Sequence, residues 1–159
     1  MTFRRLVAAI ALFVAVLGPA GRSEAAKPYL AERFNVRLSV ESGGSMIVTE
    51  TIRLAFGADQ FASVSREWPR QKVDRLTVLS VDMDGQAFSP GKSAGQYDVK
   101  KLDNGRRRIT WHMSPVTSSS HEFTLVYRVD GAVEQGAEAD VLRWIVLPEK
   151  HEYPITCSE

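Results

Sequence analysis

From residue 33 onward, apolar and polar side chains alternate with a period of two, and no stretch carries a helical period of useful length. A segment patterned this way has one apolar face, which it can bury only by joining a sheet. Phe34, Val36, Leu38 and Val40 alternate with Asn35, Arg37 and Ser39. The stretch ESGGS (41–45) then supplies hairpin chemistry through its glycines. In the next segment Met46, Val48, Ile52, Leu54 and Phe56 share one face, with Thr49, Thr51 and Arg53 on the other. Leu76 and Val78 face one way and Leu79 and Val81 the other, the pattern of a central strand packed on both sides. Asp84-Gly85 reads as a tight turn, and SPGKSAG (89–95) as a loop. A strand from Tyr97 to Leu102 leads to the turn DNG (103–105). Ile109, Trp111 and Met113 point inward, and SPVTSSS (114–120) is a polar loop. Phe123, Leu125, Tyr127 and Val129 form a further strand, closed by Asp130-Gly131. The last expected strand lies in VLRWIVLPEKHEYPI, with Leu142, Trp144 and Val146 on one face.

Seven or eight strands with turn signals about every 8–12 residues predict an antiparallel β-sandwich of immunoglobulin or fibronectin type. A small barrel is the alternative. The Cys…Trp…Cys pattern of true immunoglobulin domains is absent, since Cys157 is the one cysteine. No internal disulfide is possible, so the apolar core must carry stability.

The chain opens differently. Arg4 and Arg5 precede the unbroken apolar run LVAAIALFVAVL (6–17), followed by GPAG and the small residues Ser23 and Ala25. That order predicts a secretory signal helix over 1–25. A run of this length falls short of the roughly 20 residues that span a bilayer, and an uncleaved anchor is the alternative. The expected organisation is therefore a signal segment (1–25), a linker (26–32), an exported β-domain (33–156) and a short tail (157–159). Without residues 1–25 the chain carries 17 basic and 18 acidic side chains, a net charge of −1. Such a balance argues against nucleic acid as a partner, because that binding rests on neutralising phosphates.

No reaction-specific motif is present. His112, His121 and His151 fall in three separate segments, and there is no G-x-S-x-G, HExxH or CxxC. Asp82-Met83-Asp84-Gly85 resembles the start of a calcium loop but lacks the later ligands, and reads as a turn. No catalytic residue, metal ligand or cofactor is expected. Lys100, Lys101 and Arg106–Arg108 would form a cationic rim across one hairpin, serving either anionic head groups or protection of a sheet edge. Glu50 breaks the apolar row of its strand. A buried carboxylate is costly unless paired, so either an arginine such as Arg66 reaches it, or a bulge turns it outward. The stretch ASVSREWPRQKVDR (62–75) reads as an irregular end loop. Trp68-Pro69 within it is either a buried plug or an exposed ligand or membrane-interface site.

Taken together, four segments resemble a known family. They are GGSMIVTETIRLAF (43–56), FASVSREWP (61–69), YRVDGAV (127–133) and LRWIVLPEKHEYPI (142–155). Their order and spacing are similar to the YciQ-like group of predicted bacterial membrane proteins, domain-of-unknown-function family 2207, over Arg33 to Ile155. The resemblance implies an export signal, an extracytoplasmic β-domain and following transmembrane helices. It implies framework positions at Glu50, Arg66, Pro69, Tyr127, Trp144 and Pro154, and supplies no catalytic residue. The family pattern continues where this chain stops at Glu159, so a truncated copy and a free-standing periplasmic form are both expected readings. The functional expectation is a binding or sensory module on the extracytoplasmic face of the inner membrane, contacting an envelope protein or component. Contact would run through the 57–75 loop or an exposed sheet edge. One alternative is a carbohydrate- or peptidoglycan-active enzyme using Glu50 with Glu67 or Asp59, whose carboxylates would stand about 5–10 Å apart. The other is a nonfunctional remnant of a longer membrane protein.

Overall fold

The computed structural model describes residues 29–68, 73–103, 105–134, 136–147 and 153–158. The expected signal helix, Pro69 and His151 lie outside them. The described chain is all-β: β1 (Tyr29–Val40), β2 (Met46–Phe56), β3 (Phe61–Trp68), β4 (Arg75–Met83), β5 (Gln86–Ala87), β6 (Ser89–Pro90), β7 (Gln96–Lys101), β8 (Arg107–Val116), β9 (Ser120–Asp130), β10 (Val133–Glu134) and β11 (Val141–Leu142). One sheet runs β1-β2-β9-β4-β5 and a second β3-β8-β7-β6, with β10-β11 as a separate pair. The pairings are antiparallel except β6 with β7, and the sheets do not close into a barrel.

The two sheets share one core. Phe34, Val48, Ile52, Phe123, Leu125 and Tyr127 from the first meet Val64, Trp68, Ile109, Trp111 and Met113 from the second. The Trp111 and Phe123 rings meet edge-on at 5.8 Å. The turn signals act as expected. Glu41 N–H donates to Ser45 C=O (2.8 Å), and Asp84 and Gly85 take φ of +52° and +77° at the β4–β5 turn.

The described strands number eleven rather than seven or eight, because short pairings such as Ser89–Pro90 fall inside stretches read as loops and β8 and β9 reach into 114–120. Four further expectations change, each for a local reason. The 62–75 stretch is not an end loop, because 61–68 is strand β3. Its inward positions are Val64, Arg66 and Trp68, at 8%, 5% and 3% exposure. An arginine on the inward row hid the period. β4 is not a central strand buried on both faces. A bulge at Leu79, between Val78 paired to Tyr127 and Ser80 paired to Val126, reverses its side-chain parity. Val78 then faces inward before the bulge and Val81 after it, and Leu79 is expelled to 52% exposure. The strand expected across 142–146 shrinks to Val141–Leu142, and 143–147 is irregular cover. Finally, β1 starts inside the stretch read as a linker. The Tyr29 ring packs against Phe56, Phe61 and Tyr153, and Ala31 is fully buried.

At the β9 exit, Gly131 has φ +78°, and a Cβ there would lie 2.5 Å from Asp74 Oδ2 and 3.0 Å from its backbone nitrogen. Both strain and clash oppose any side chain. Gly131→Ala is expected to cost about 1–3 kcal/mol in urea unfolding, since a residue forced to positive φ destabilises by more than the usual glycine entropy gain.

Candidate functional site

Two residues that each break an apolar row meet across the core. Glu50 stands mid-strand in β2, and Arg66 projects inward from β3, the outer strand of the opposite sheet. Arg66 Nε donates to Glu50 Oε2 at 2.8 Å, and Nη2 donates to Oε1 at 3.3 Å. The pair is bidentate, with Glu50 2% and Arg66 5% exposed. Tyr127, beside Glu50's row on β9, donates its hydroxyl to Oε1 at 2.7 Å. The remaining guanidinium donors reach backbone carbonyls: Nη2 to Val146 at 3.2 Å, and Nη1 to Glu67. The Arg66 Cζ also lies 5.5 Å from the centre of the Phe34 ring.

Aromatic rings close the cluster. Trp68 meets Tyr127 edge-on at 5.3 Å, and Trp144 lies 6.2 Å from it on the other side. The indole nitrogens of Trp68 and Trp144 are buried, and that of Trp144 has no hydrogen-bond partner among the described residues. Burial would lower the Arg66 pKa, but the Glu50 carboxylate outweighs it and holds the guanidinium more firmly charged than usual. Burial, and then the Glu50 charge, push the Tyr127 phenol well above its ordinary 10.0. The phenol therefore stays a donor. Chemically the cluster is a closed clasp joining both sheets to the 143–147 segment.

Of the residues singled out in the sequence, Glu50, Arg66, Trp68, Tyr127 and Trp144 come together here. Pro154 does not; it is exposed, and its carbonyl accepts the Ala31 N–H at 2.9 Å on the β1 edge. Glu50 is committed to Arg66 and Tyr127 in the core, and Glu67 is engaged by Arg106 at 2.9 Å and by Arg108 Nε at 2.8 Å. Those contacts also neutralise part of the cationic rim, and Arg107 Nη1 donates to the Leu76 carbonyl at 3.1 Å. An open cleft of about 670 Å³ lies beyond the 41–45 turn, with Val40 and Leu142 beside Asp74, Asp130 and Asp140. Arg128 ties Glu41 (2.9 Å) and Asp130 (3.0 Å) at its rim. Among the described residues no group of His, Cys, Asp and Glu is arranged to hold a metal ion.

One constellation escaped the sequence reading. His121 Nδ1 lies 2.6 Å from Asp84 Oδ2, and its Nε2 lies 3.0 Å from Ser119 Oγ. The Ser-x-His spacing on one strand face was visible, but Asp84 stands 37 residues away and only the β4–β9 pairing brings it near.

An all-β domain of two sheets, pinned through the core by a buried carboxylate–guanidinium–phenol cluster, is the class defined so far. The chain belongs to the family described as the predicted membrane protein (DUF2207) N-terminal domain, matched over residues 31–157. No curated protein matches it. Among solved structures it is similar to a crystal structure from Parabacteroides distasonis described as that of a “putative protease”. The likeness has a TM-score of 0.40 and 9% identity, and covers 68% of this chain and 24% of that one. Among the described residues, no helix is long and apolar enough to cross a membrane.

Glu50→Gln is expected to lower unfolding free energy by about 3–5 kcal/mol, because Arg66 is left buried without its counter-charge. Tyr127→Phe removes one hydrogen bond to a charged group and costs about 1.5–3 kcal/mol. Replacing Glu50 and Arg66 together by Met costs less than either single change, as a double-mutant cycle in urea would read. Since folding raises the Tyr127 pKa, the folded state holds this proton more tightly than the unfolded chain. The stability from that difference is present below pH 10 and is lost as pH rises beyond it. Tyr127→Phe should flatten this alkaline loss in melts recorded from pH 8 to 11.

Proposed function

We propose that this membrane-protein domain is an extracytoplasmic β-sandwich of immunoglobulin-like type, serving as a binding module in the cell envelope. The partner would add a strand to the free half of the β1 edge. One observation carries the reading. The segment 154–158 already runs along that edge in parallel, pairing Ile155 with Ala31 and Ser158 with Phe34. Three backbone bonds hold it: Ala31 N–H to Pro154 C=O (2.9 Å), Thr156 N–H to Ala31 C=O (2.8 Å) and Phe34 N–H to Cys157 C=O (2.9 Å).

Strand alternation extends the same outward orientation from Phe34 to Val36, Leu38 and Val40. Their backbone groups have no partner among the described residues. Leu38 and Val40 are 37% and 52% exposed, although they continue the core-facing row of β1. An edge with unpaired amides and apolar side chains is a template for β-augmentation. A strand continuing the line of 155–158 meets Val36, Leu38 and Val40 in turn and ends at the cleft that Val40 lines. Its side chains would be apolar on the core-facing row, with basic residues where it reaches Asp74, Asp130 and Asp140.

The edge can be tested with a tethered strand, which enjoys a millimolar effective concentration. The chain is extended after Glu159 by five residues alternating Val and Thr, and amide hydrogen exchange is followed. Exchange at Leu38 and Val40 should slow by about tenfold or more relative to the unextended chain. Leu38→Pro, which removes the outward N–H, should abolish that protection at the neighbouring Val40. Unchanged exchange in the extended chain would sink the strand-addition reading.

A further inference from the structure

At the other end of β2 and β9 from the cleft, we propose that Ser119, His121 and Asp84 form a nucleophilic acyl-transfer site acting on carboxylic esters. Ser119 and His121 lie two residues apart where the polar β8–β9 loop enters β9, so their side chains fall on the same side of extended chain. Met83 pairs with Phe123, which brings the Asp84-Gly85 turn alongside them. The carboxylate is fixed from both sides. Asp84 Oδ1 accepts the Glu122 N–H at 2.8 Å, the Asp84 N–H donates to the Glu122 carbonyl at 2.8 Å, and Oδ2 faces His121 Nδ1 at 2.6 Å. His121 Nε2 then stands 3.0 Å from Ser119 Oγ. Serine, imidazole and carboxylate are thus in series through opposite ring nitrogens, the arrangement that lets a histidine take the proton of an attacking hydroxyl.

Three further features fit that use. Asp84 takes the positive φ that its turn requires, whereas Ser118, beside Ser119, has a positive φ of +46° outside any Asp-Gly turn. Backbone strain of this kind concentrates where side chains must be aimed. The Ser119 backbone N–H has no acceptor among the described residues, so it is free to donate to a carbonyl oxygen attacked at its own Oγ. The Phe56 ring, 5% exposed, lies 6.1 Å from His121 and packs on Phe61 (5.0 Å) and Tyr29 (5.9 Å), so apolar core backs the relay on one side. Opposing the cost of burial, the Glu122 N–H, His121 and Arg53 hold the Asp84 carboxyl below its ordinary value. His112 and Asp98, 2.6 Å apart on the other sheet, form a pair with no hydroxyl on the imidazole among the described residues and serve as an internal control.

In the reaction, Ser119 Oγ bonds to the ester carbonyl carbon while His121 Nε2 takes the hydroxyl proton. The bond to the alkoxy oxygen then breaks, and His121 returns the proton to the departing alcohol. Water attacks the acyl-serine with His121 again as base, releasing the carboxylic acid and restoring the serine. Ester and water give acid and alcohol, with no redox partner. Ser119 and His121 are the catalytic residues, and Asp84 is a positioning residue.

The test uses the full chain, a fluorophosphonate probe with mass mapping, and p-nitrophenyl butyrate turnover. The expected result is phosphonylation at Ser119 alone, lost in Ser119→Ala. His121→Gln is expected to slow labelling and turnover by about 10² or more, the usual share of a general base. His112→Gln leaves both rates unchanged. Asp84→Asn keeps the turn and the bond to the Glu122 N–H but displaces the pH profile of labelling, which a purely structural role would not do. Absence of labelling in the folded wild-type protein overturns the proposal. So does labelling that survives Ser119→Ala, or equal rates in the His121 and His112 variants.

Discussion

The fold hangs on one contact that is expensive to make, the bidentate Arg66–Glu50 pair with Tyr127 at its side. Two charges taken out of water cost several kcal/mol each, and only dense hydrogen bonding offsets that. Here the guanidinium meets both carboxylate oxygens and two carbonyls, and Glu50 Oε1 accepts a second donor from the phenol. The same volume filled with Leu or Met would hold the sheets together as well. What an apolar filling lacks is position. A one-residue slip of β2 or β3 would turn its charged residue to the opposite face and leave the other buried alone. The pair therefore fixes which residue of one sheet faces which residue of the other. Through the Val146 carbonyl it also seats the 143–147 segment, which forms no strand ladder among the described residues.

Sheet edges are the second constraint, and most of them are managed. The outer side of β4 carries β5, and Arg107 takes the Leu76 carbonyl. β7 ends in Lys100 and Lys101 beside a turn rich in arginine, charges that oppose pairing with another chain. β1 alone is half served among the long strands of the first sheet. Its first half is paired with 154–158, while its second half presents Leu38 and Val40 with neither cover nor charge on the core-facing row among the described residues. An edge of that kind is a template on which another strand can pair.

Much of this was legible from period-two patterning, because Ile109, Trp111, Phe123, Leu125 and Val129 obey it without exception and are all buried. The patterning misled where the core is not apolar. β3 reads as irregular because its middle inward residue is Arg66, and β2 seems defective because its inward row contains Glu50. Each anomaly explains the other, and recognising both as core positions would have revealed the strand. Leu79 misled for another reason: a bulge is a matter of pairing, and pairing partners are not written in a local window. Trp144 and Val146 alternate like a strand yet make none among the described residues, since the Trp144 ring and the Val146 carbonyl both turn to the clasp. The Ser119–His121–Asp84 relay was out of reach for the same topological reason, needing β4 against β9 before its parts adjoin.

These features are mechanically linked, because β2 and β9 run through all of them. Their paired ladder extends from Met46 with Val129 at the cleft to Ala55 with Ser120 beside the relay, and Glu50 faces Leu125 near its middle. The β1 edge is registered on β2, so the amides open to a partner strand inherit their position from the same ladder. A clasp at midspan suits that arrangement. Packed interiors move between discrete arrangements rather than bending smoothly. A strand added at Val36–Val40 would therefore load β2 against a register that the Glu50–Arg66 pair forbids to slip. The energetic extravagance of a buried ion pair is then intelligible as rigidity placed at the middle of the ladder that registers both of its ends.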